Sequence, residues 1–193
     1  MKRVLLIGDT HIPDRADNVP EVIEDFIQRE RSWEIVIFTG DVTGEDTLSW
    51  IRGLGQKLYI VRGNMDYLPL PKTQVFEYEG FKIGVHHGDG FYPRGDKVKL
   101  SMIAQKLGVN ILVSGHTHLD FIKVGSTSRE LLLNPGSLTG VWGGGGGSFT
   151  PSFMVLEFMN NALTVKTYRL LDSTLQEKIT IAKFIEGKWF LEQ

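Results

Sequence analysis

An α/β fold made of two stacked, mixed β-sheets flanked by helices is predicted for this chain by three observations. Short apolar runs at residues 4–7, 35–38 and 58–61 alternate with helix-patterned stretches at 19–29 and 45–51, the order that generates a parallel sheet with right-handed crossovers. After the loop Leu68-Pro69-Leu70-Pro71 the pattern changes to strands in close succession, with one further helix at about 96–107. The chain has 193 residues, 41% of them hydrophobic and 23% charged, which suits one soluble domain with a sizeable core. We expect a single domain over residues 1–193, in which about 160–193 forms a β-rich C-terminal extension of unknown role.

Each element has a local reason. Val4 to Ile7 is a continuous apolar run that stops at Gly8-Asp9, as a buried strand feeding a loop does. In the first helix Asn18 is the expected N-cap, Pro20 suits the first turn, and Val22, Ile23, Phe26 and Ile27 form one apolar stripe. The second strand ends in Gly40-Asp41, and the second helix stops before Gly53 and Gly55. The third strand, 58–61, ends at Arg62-Gly63-Asn64. Residues 75–78 and 81–85, joined by Glu79-Gly80, predict a hairpin. Residues 111–113 form a short strand before Gly115. Residues 121–124 and 131–133 flank a turn at Gly125-Ser126, residues 153–158 and 163–170 flank Asn160-Asn161, and a last hairpin within 173–193 turns at Glu186-Gly187.

Composition removes several classes of function. A net charge of −2 exerts no global pull on nucleic acid or anionic membrane, so neither is an expected partner. The absence of cysteine excludes disulfides, thiolate metal sites and cysteine nucleophiles. The N-terminal apolar run is short and turns acidic at Asp9, unlike a signal peptide. No run approaches the ~20 apolar residues that span a bilayer. A cytoplasmic location is the expectation.

The chemistry concentrates at strand ends. In order they supply Gly8-Asp9-Thr10-His11, Gly40-Asp41, Gly63-Asn64, His86-His87-Gly88-Asp89 and Gly115-His116-Thr117-His118. Any one of these alone is an ordinary turn or cap. Together they contain all five histidines of the chain, and in open α/β sheets strand C-termini converge on one crevice. Carboxylate, carboxamide and imidazole ligands suit Mn, Fe, Zn, Ni or Co rather than Ca or Mg alone.

These five motifs, in this order, resemble the calcineurin-like metallophosphoesterases. Gly63-Asn64-Met65-Asp66, Asn134-Pro135-Gly136-Ser137 and the short length resemble the small phosphodiesterases of the YfcE type, a branch shared by the retromer subunit Vps29. The resemblance covers about residues 1–158 and implies the family's four-layer αββα sandwich. It implies two divalent cations, manganese first among Mn, Ni, Fe, Zn and Co. Asp9, His11 and His118 would hold the first, Asn64, His87 and His116 the second, and Asp41 would bridge them. The implied reaction is hydrolysis of a small phosphate ester, by attack of a hydroxide held between the cations. The oligomeric state is open, a homodimer included. The alternative implied by Vps29 is a protein-interaction scaffold with a vestigial metal site.

One position departs from larger members of the superfamily, which read Gly-Asn-His-Glu: Met65 stands where their histidine assists the leaving group, and methionine transfers no proton. Asp66 beside it is expected to be structural. His86 is the candidate substitute acid, the other expectation being that it packs or steadies a ligand. Asn134 is expected to line the cleft and support a ligand histidine. Gly143 to Gly147 reads as a long loop, and Arg62, Arg94, Lys97 and Lys99 are the cations with a chance of reaching a substrate phosphate.

Overall fold

The computed structural model describes residues 3–30 and 33–192. Strands β1 (Arg3–Ile7), β2 (Trp33–Phe38) and β3 (Gly55–Ile60) are adjacent and parallel, with α1 (Glu21–Arg29) and α2 (Glu45–Arg52) as crossovers. The first helix does not start from an Asn18 cap. Pro20 occupies the N-cap without a side-chain hydrogen bond, and its carbonyl accepts the amides of Ile23 and Glu24 at 2.9 and 3.0 Å. A proline disfavours helical backbone in the residue before it, so the helix cannot reach back past Val19. β3 begins three residues earlier than the apolar run, at Gly55. A Cβ there would lie 2.7 Å from Val36 Cγ2 and 3.0 Å from the Trp33 carbonyl, so only glycine lets the strands approach.

The second sheet begins with the expected hairpin, β4 (Thr73–Tyr78) and β5 (Phe81–His86). Its turn residues Glu79 and Gly80 both have positive φ, 49° and 82°, the turn whose twist matches the strands. α3 (Lys97–Leu107) is capped by the Asp96 side chain, which accepts the Lys99 amide at 2.8 Å, and it ends at Gly108 in left-handed conformation. β6 (Ile111–Val113), β7 (Phe121–Val124) and β8 (Leu131–Asn134) complete a sheet ordered β4-β5-β6-β8-β7. β9 (Ser152–Met159) returns antiparallel to β1, and β10 (Ala162–Leu171), β11 (Thr174–Ile185) and β12 (Lys188–Glu192) follow as a meander, giving the first sheet the order β12-β11-β10-β9-β1-β2-β3. The strands after residue 160 therefore widen the first sheet at one edge. Gln193, the end of the predicted last hairpin, lies outside the described residues.

Alternation along the strands builds four layers. Val4, Leu6, Ile35 and Ile37 face Ile83, Val85, Ile111, Val113, Leu131 and Leu133 between the sheets. The other face of the first sheet, Leu5, Ile7, Val36 and Phe38, packs on Ile23 and Ile27 of α1 and Leu48 and Ile51 of α2. Leu112 and Leu132 of the second sheet pack on Leu100 and Ala104 of α3. Each such side chain is worth about 1.5–3 kcal/mol when removed from water, and β1, β2 and β6 are buried on both faces, which is why they read as unbroken apolar runs. No helix among the described residues is long and apolar enough to cross a membrane.

Candidate metal centre

The strand-end loops are laced to one another by main-chain hydrogen bonds. The Asp9 amide donates to the Gly40 carbonyl at 2.9 Å, His11 to Asp41 at 3.0 Å, and Gly115 to His87 at 2.8 Å. The His116 amide crosses between sheets to both oxygens of the Asp9 carboxylate, each at 3.1 Å. Asp9, His11, Asp41, Thr43, His116 and His118 all have φ between 48° and 68°. For side chains other than glycine this left-handed conformation costs energy and persists where surrounding contacts over-determine it.

The chain brings all seven predicted ligand residues together. Asp9, His11, Asp41 and His118 form one group and Asp41, His87 and His116 a second, with the potential ligand atoms of each group within 4.8 Å of one another. Asp41 belongs to both. Asn64 joins the second group through its Oδ1, 3.0 Å from His87 Nε2. Asp9, His11, Asp41, His87 and His118 are buried.

Residues 1–161 match the family model of the calcineurin-like phosphoesterase superfamily domain. The chain belongs to that superfamily. It is 44% identical over 135 residues to a probable metallophosphoesterase of Methanocaldococcus jannaschii, covering 69% of this chain and 67% of the relative. A probable metallophosphoesterase of Methanothermobacter thermautotrophicus is 41% identical over 137 residues, 69% of this chain and 76% of the relative. Among solved structures the chain resembles wild-type Vps29 of Entamoeba histolytica complexed with zinc, with a TM-score of 0.84 and 34% identity over 93% of this chain and 98% of that one. It also resembles Vacuolar Protein Sorting 29 of Cryptosporidium parvum, with a TM-score of 0.87 and 28% identity over 94% and 98%.

The donor set of this superfamily member fits divalent cations. His118 Nδ1 lies 2.7 Å from the Val141 carbonyl and His87 Nδ1 lies 2.8 Å from the Thr39 carbonyl. An acceptor at Nδ1 puts the ring proton there and leaves Nε2 as a lone pair in the neutral tautomer. His118 Nε2 then faces His11 Nε2 at 3.1 Å, and His87 Nε2 faces Asn64 Oδ1 and, at 3.4 Å, Asp41 Oδ2. Imidazole nitrogens, a carboxamide oxygen and carboxylate oxygens that converge this closely are the donor set that a divalent cation takes.

The ionisation of the site points the same way. Burial pushes the Asp9 carboxyl well above the ordinary range, with the neighbouring Asp41 charge adding to the effect and His87 opposing it. Burial lowers His11 and His116 to about 4. His87 goes the other way: burial depresses it, but its hydrogen bond to Asp41 and the Asp9 and Asp41 charges outweigh burial and raise it. Without metal ions, positive charge for the buried carboxylates comes from a proton on His87, and a bound cation would take over that task.

Several residues act on the ligands from behind. Asp66 is the most heavily committed: its carboxylate accepts the amides of Asp41, Val42, Thr43 and Gly63 at 2.8–2.9 Å, gathering the Asp41 turn and the Asn64 loop on one anion. The Met65 amide holds Asp41 Oδ1 at 2.8 Å. Asn134 does not bond a ligand histidine as anticipated. Its Nδ2 donates to the Gly115 carbonyl at 2.8 Å and to Thr117 Oγ1 at 3.0 Å, bracing the backbone that carries His116 and His118. Thr39 and Val141 contribute only main-chain carbonyls, which every residue type carries, so nothing in the sequence could single them out.

The glycine-rich loop lies on His118. Besides the Val141 carbonyl on its ring, His118 accepts the Ser148 amide on its carbonyl at 3.0 Å. Arg94 Nη1 donates to the carbonyls of Gly143 and His116, so this cation is used within the protein. Lys99 donates to the Tyr92 carbonyl at 2.7 Å. A Cβ on Gly143 would lie 2.6 Å from His118 Cγ. We therefore expect Gly143→Ala to weaken metal binding about tenfold, by displacing a ligand ring. Calorimetry with Mn²⁺ checks this, and a wild-type affinity would show that the loop yields instead.

Proposed function

We propose that this chain is a metal-dependent phosphoesterase acting on phosphodiesters, with two divalent cations, manganese first. Asp9, His11 and His118 hold one, Asn64, His87 and His116 the other, and Asp41 is shared. The observation that supports this reading is the pair of candidate ligand groups meeting at one buried carboxylate, with imidazole nitrogens converging on each. When bound, the cations supply Lewis-acid polarisation of phosphate oxygens and a water activated near neutral pH. The chain's own residues do the positioning. The Met65 amide fixes the Asp41 carboxylate and Asp66 the Asp41 backbone amide, Asn134 fixes the histidine loop, and Arg94 ties that loop to the glycine segment. Met65 offers no proton to a departing alkoxide, so esters with good leaving groups should react fastest.

The decisive assay is hydrolysis of bis-p-nitrophenyl phosphate by purified protein with Mn²⁺. Turnover is expected with the metal and not with excess chelator. No metal-dependent turnover of any mono- or diester would remove the enzyme reading. Metal stoichiometry tests the division of ligands: His118→Ala should lose the first cation before the second, and His116→Ala the reverse. Equal loss of both ions in both variants would refute the split.

A second reading, a Vps29-like interaction scaffold, is favoured by the likeness to Vps29 structures over most of the chain. Tyr67, Tyr92, Trp142 and Phe149 are exposed in loops that follow the ligand motifs. On that reading the protein binds a partner and turns over neither mono- nor diesters.

A further inference from the structure

The long connection from β8 to β9 follows the loop after β1 almost residue by residue. Ser137 Oγ donates to the Asp9 carbonyl at 2.8 Å and Thr139 Oγ1 to the Thr10 carbonyl at 2.9 Å. Between them the Leu138 amide donates to the Gly8 carbonyl at 3.0 Å. Val141 then places its carbonyl 2.7 Å from His118 Nδ1. The next carbonyl, that of Trp142, accepts Arg15 Nη1 at 2.8 Å, and the Trp142 ring lies 5.6 Å from the same guanidinium. Arg15 itself hangs from His11, its amide donating to the His11 carbonyl at 2.8 Å. All these contacts bear on the loops of Asp9, His11 and His118, the first ligand group.

That group leans on the Val141 carbonyl. His11 Nδ1 is buried without a hydrogen-bond partner, so His118 is the imidazole of the group that is steered from behind. Just beyond Trp142 the chain enters Gly143 to Gly147, where Gly144, Gly145 and Gly146 have φ of 94°, 113° and 72°. Glycine restrains such backbone least of all residues. Arg94 holds the Gly143 carbonyl but also that of His116, so it serves both groups. Arg15 serves only the first.

Its charge would act in the opposite direction. Arg15 is near enough to His11 and His118 for its positive charge to disfavour another there. Screened by solvent and salt, that repulsion weakens a cation by about threefold. Disturbing the group behind a metal ligand costs about 10–100-fold, and Arg15 stands one step further back, which sets the lower end of that range. Positioning outweighs repulsion.

We infer that Arg15 is a positioning residue for the first cation. By gripping Trp142 ahead of the glycine run it keeps the Val141 carbonyl on His118 and the ring turned toward Asp9 and His11. This rests on the metal-dependent phosphoesterase reading and makes one of its two cation sites depend on a residue that the other does not need.

Calorimetry with Mn²⁺ tests it in two backgrounds, His116→Ala to read the first cation and His118→Ala to read the second. Adding Arg15→Ala should weaken Mn²⁺ about tenfold in the first background and by less than about twofold in the second. Arg15→Lys, which keeps the charge and a donor, should recover most of the loss. Unchanged or tighter binding in the first background overturns the inference, the tighter result marking Arg15 as a repelling charge. Equal weakening in both backgrounds overturns it as well. Wild type that binds no Mn²⁺ removes the metal-dependent reading. In that case, or if a background binds none, hydrogen exchange of the Ser148 amide decides the strap, because that amide donates to the His118 carbonyl at 3.0 Å. Exchange about tenfold faster in metal-free Arg15→Ala than in metal-free wild type supports the inference, and equal exchange overturns it.

Discussion

Asp41→Asn is expected to lower Mn²⁺-dependent hydrolysis by at least about a thousandfold, or ~4 kcal/mol of transition-state stabilisation. Asp41 is the one residue common to both ligand groups, and its Oδ2 faces His11 Nε2 and His87 Nε2 at 3.4 Å each. Asparagine keeps an oxygen for the Met65 amide but loses the charge that two neighbouring cations need between them. The fold should tolerate the change. The favourable pairing with His87 is lost, but so is the Asp41 charge that helps to raise Asp9. In chelator, Tm should stay within about 3 °C of wild type, corresponding to less than ~1 kcal/mol in a chain of this size. Calorimetry should find neither cation bound tightly. Undiminished turnover, or inactivity explained by a collapsed Tm in chelator, would refute the assignment.

Asp66→Ala should have the largest effect on stability. Four amides at 2.8–2.9 Å converge on this half-buried carboxylate, and each one left without an acceptor costs about 1–3 kcal/mol where water cannot replace it. Two of them belong to Asp41 and Thr43, with φ of 59° and 61°. A β-branched residue such as Thr43 adopts that conformation only when held there. A net loss of about 3–5 kcal/mol is expected, visible as a fall in Tm of roughly 10 °C or more. Asp66→Asn should also be destabilised, because its amide half turns N–H groups toward N–H groups. Added Mn²⁺ should recover part of the loss by binding the folded state. A Tm within 2 °C of wild type for Asp66→Ala would mean that water satisfies the turn.

That the candidate ligands gather in one place was legible because their motifs follow apolar runs, and strand C-termini converge wherever parallel strands share a sheet. Asp9, Asp41 and Asn64 follow β1, β2 and β3, while His87 and His116 follow β5 and β6. The layers were legible for a similar reason, since runs such as Ile111-Leu112-Val113 must bury both faces. The first helix was legible as a helix but not in its start, because Asn18 looks like a cap whether or not Pro20 closes the way to it.

What the sequence determined by itself was the inventory: which residues can bind a cation, that they sit at strand ends, and that Met65 brings no proton. Tertiary structure decided how they are held and what lies beside them. Asp66 looks like any acid after a strand until it collects amides from both Asp41 and Gly63, 25 and 3 residues away. Arg94 reads as a free cation until its guanidinium meets the carbonyls of Gly143 and His116. Arg62 and Lys72 share a cavity only because the β3 loop returns beside β5. Ligand chemistry is a property of side chains and can be read in one dimension. Carbonyls, amides and cavities acquire their roles from distance, which is settled only when the two sheets close on each other.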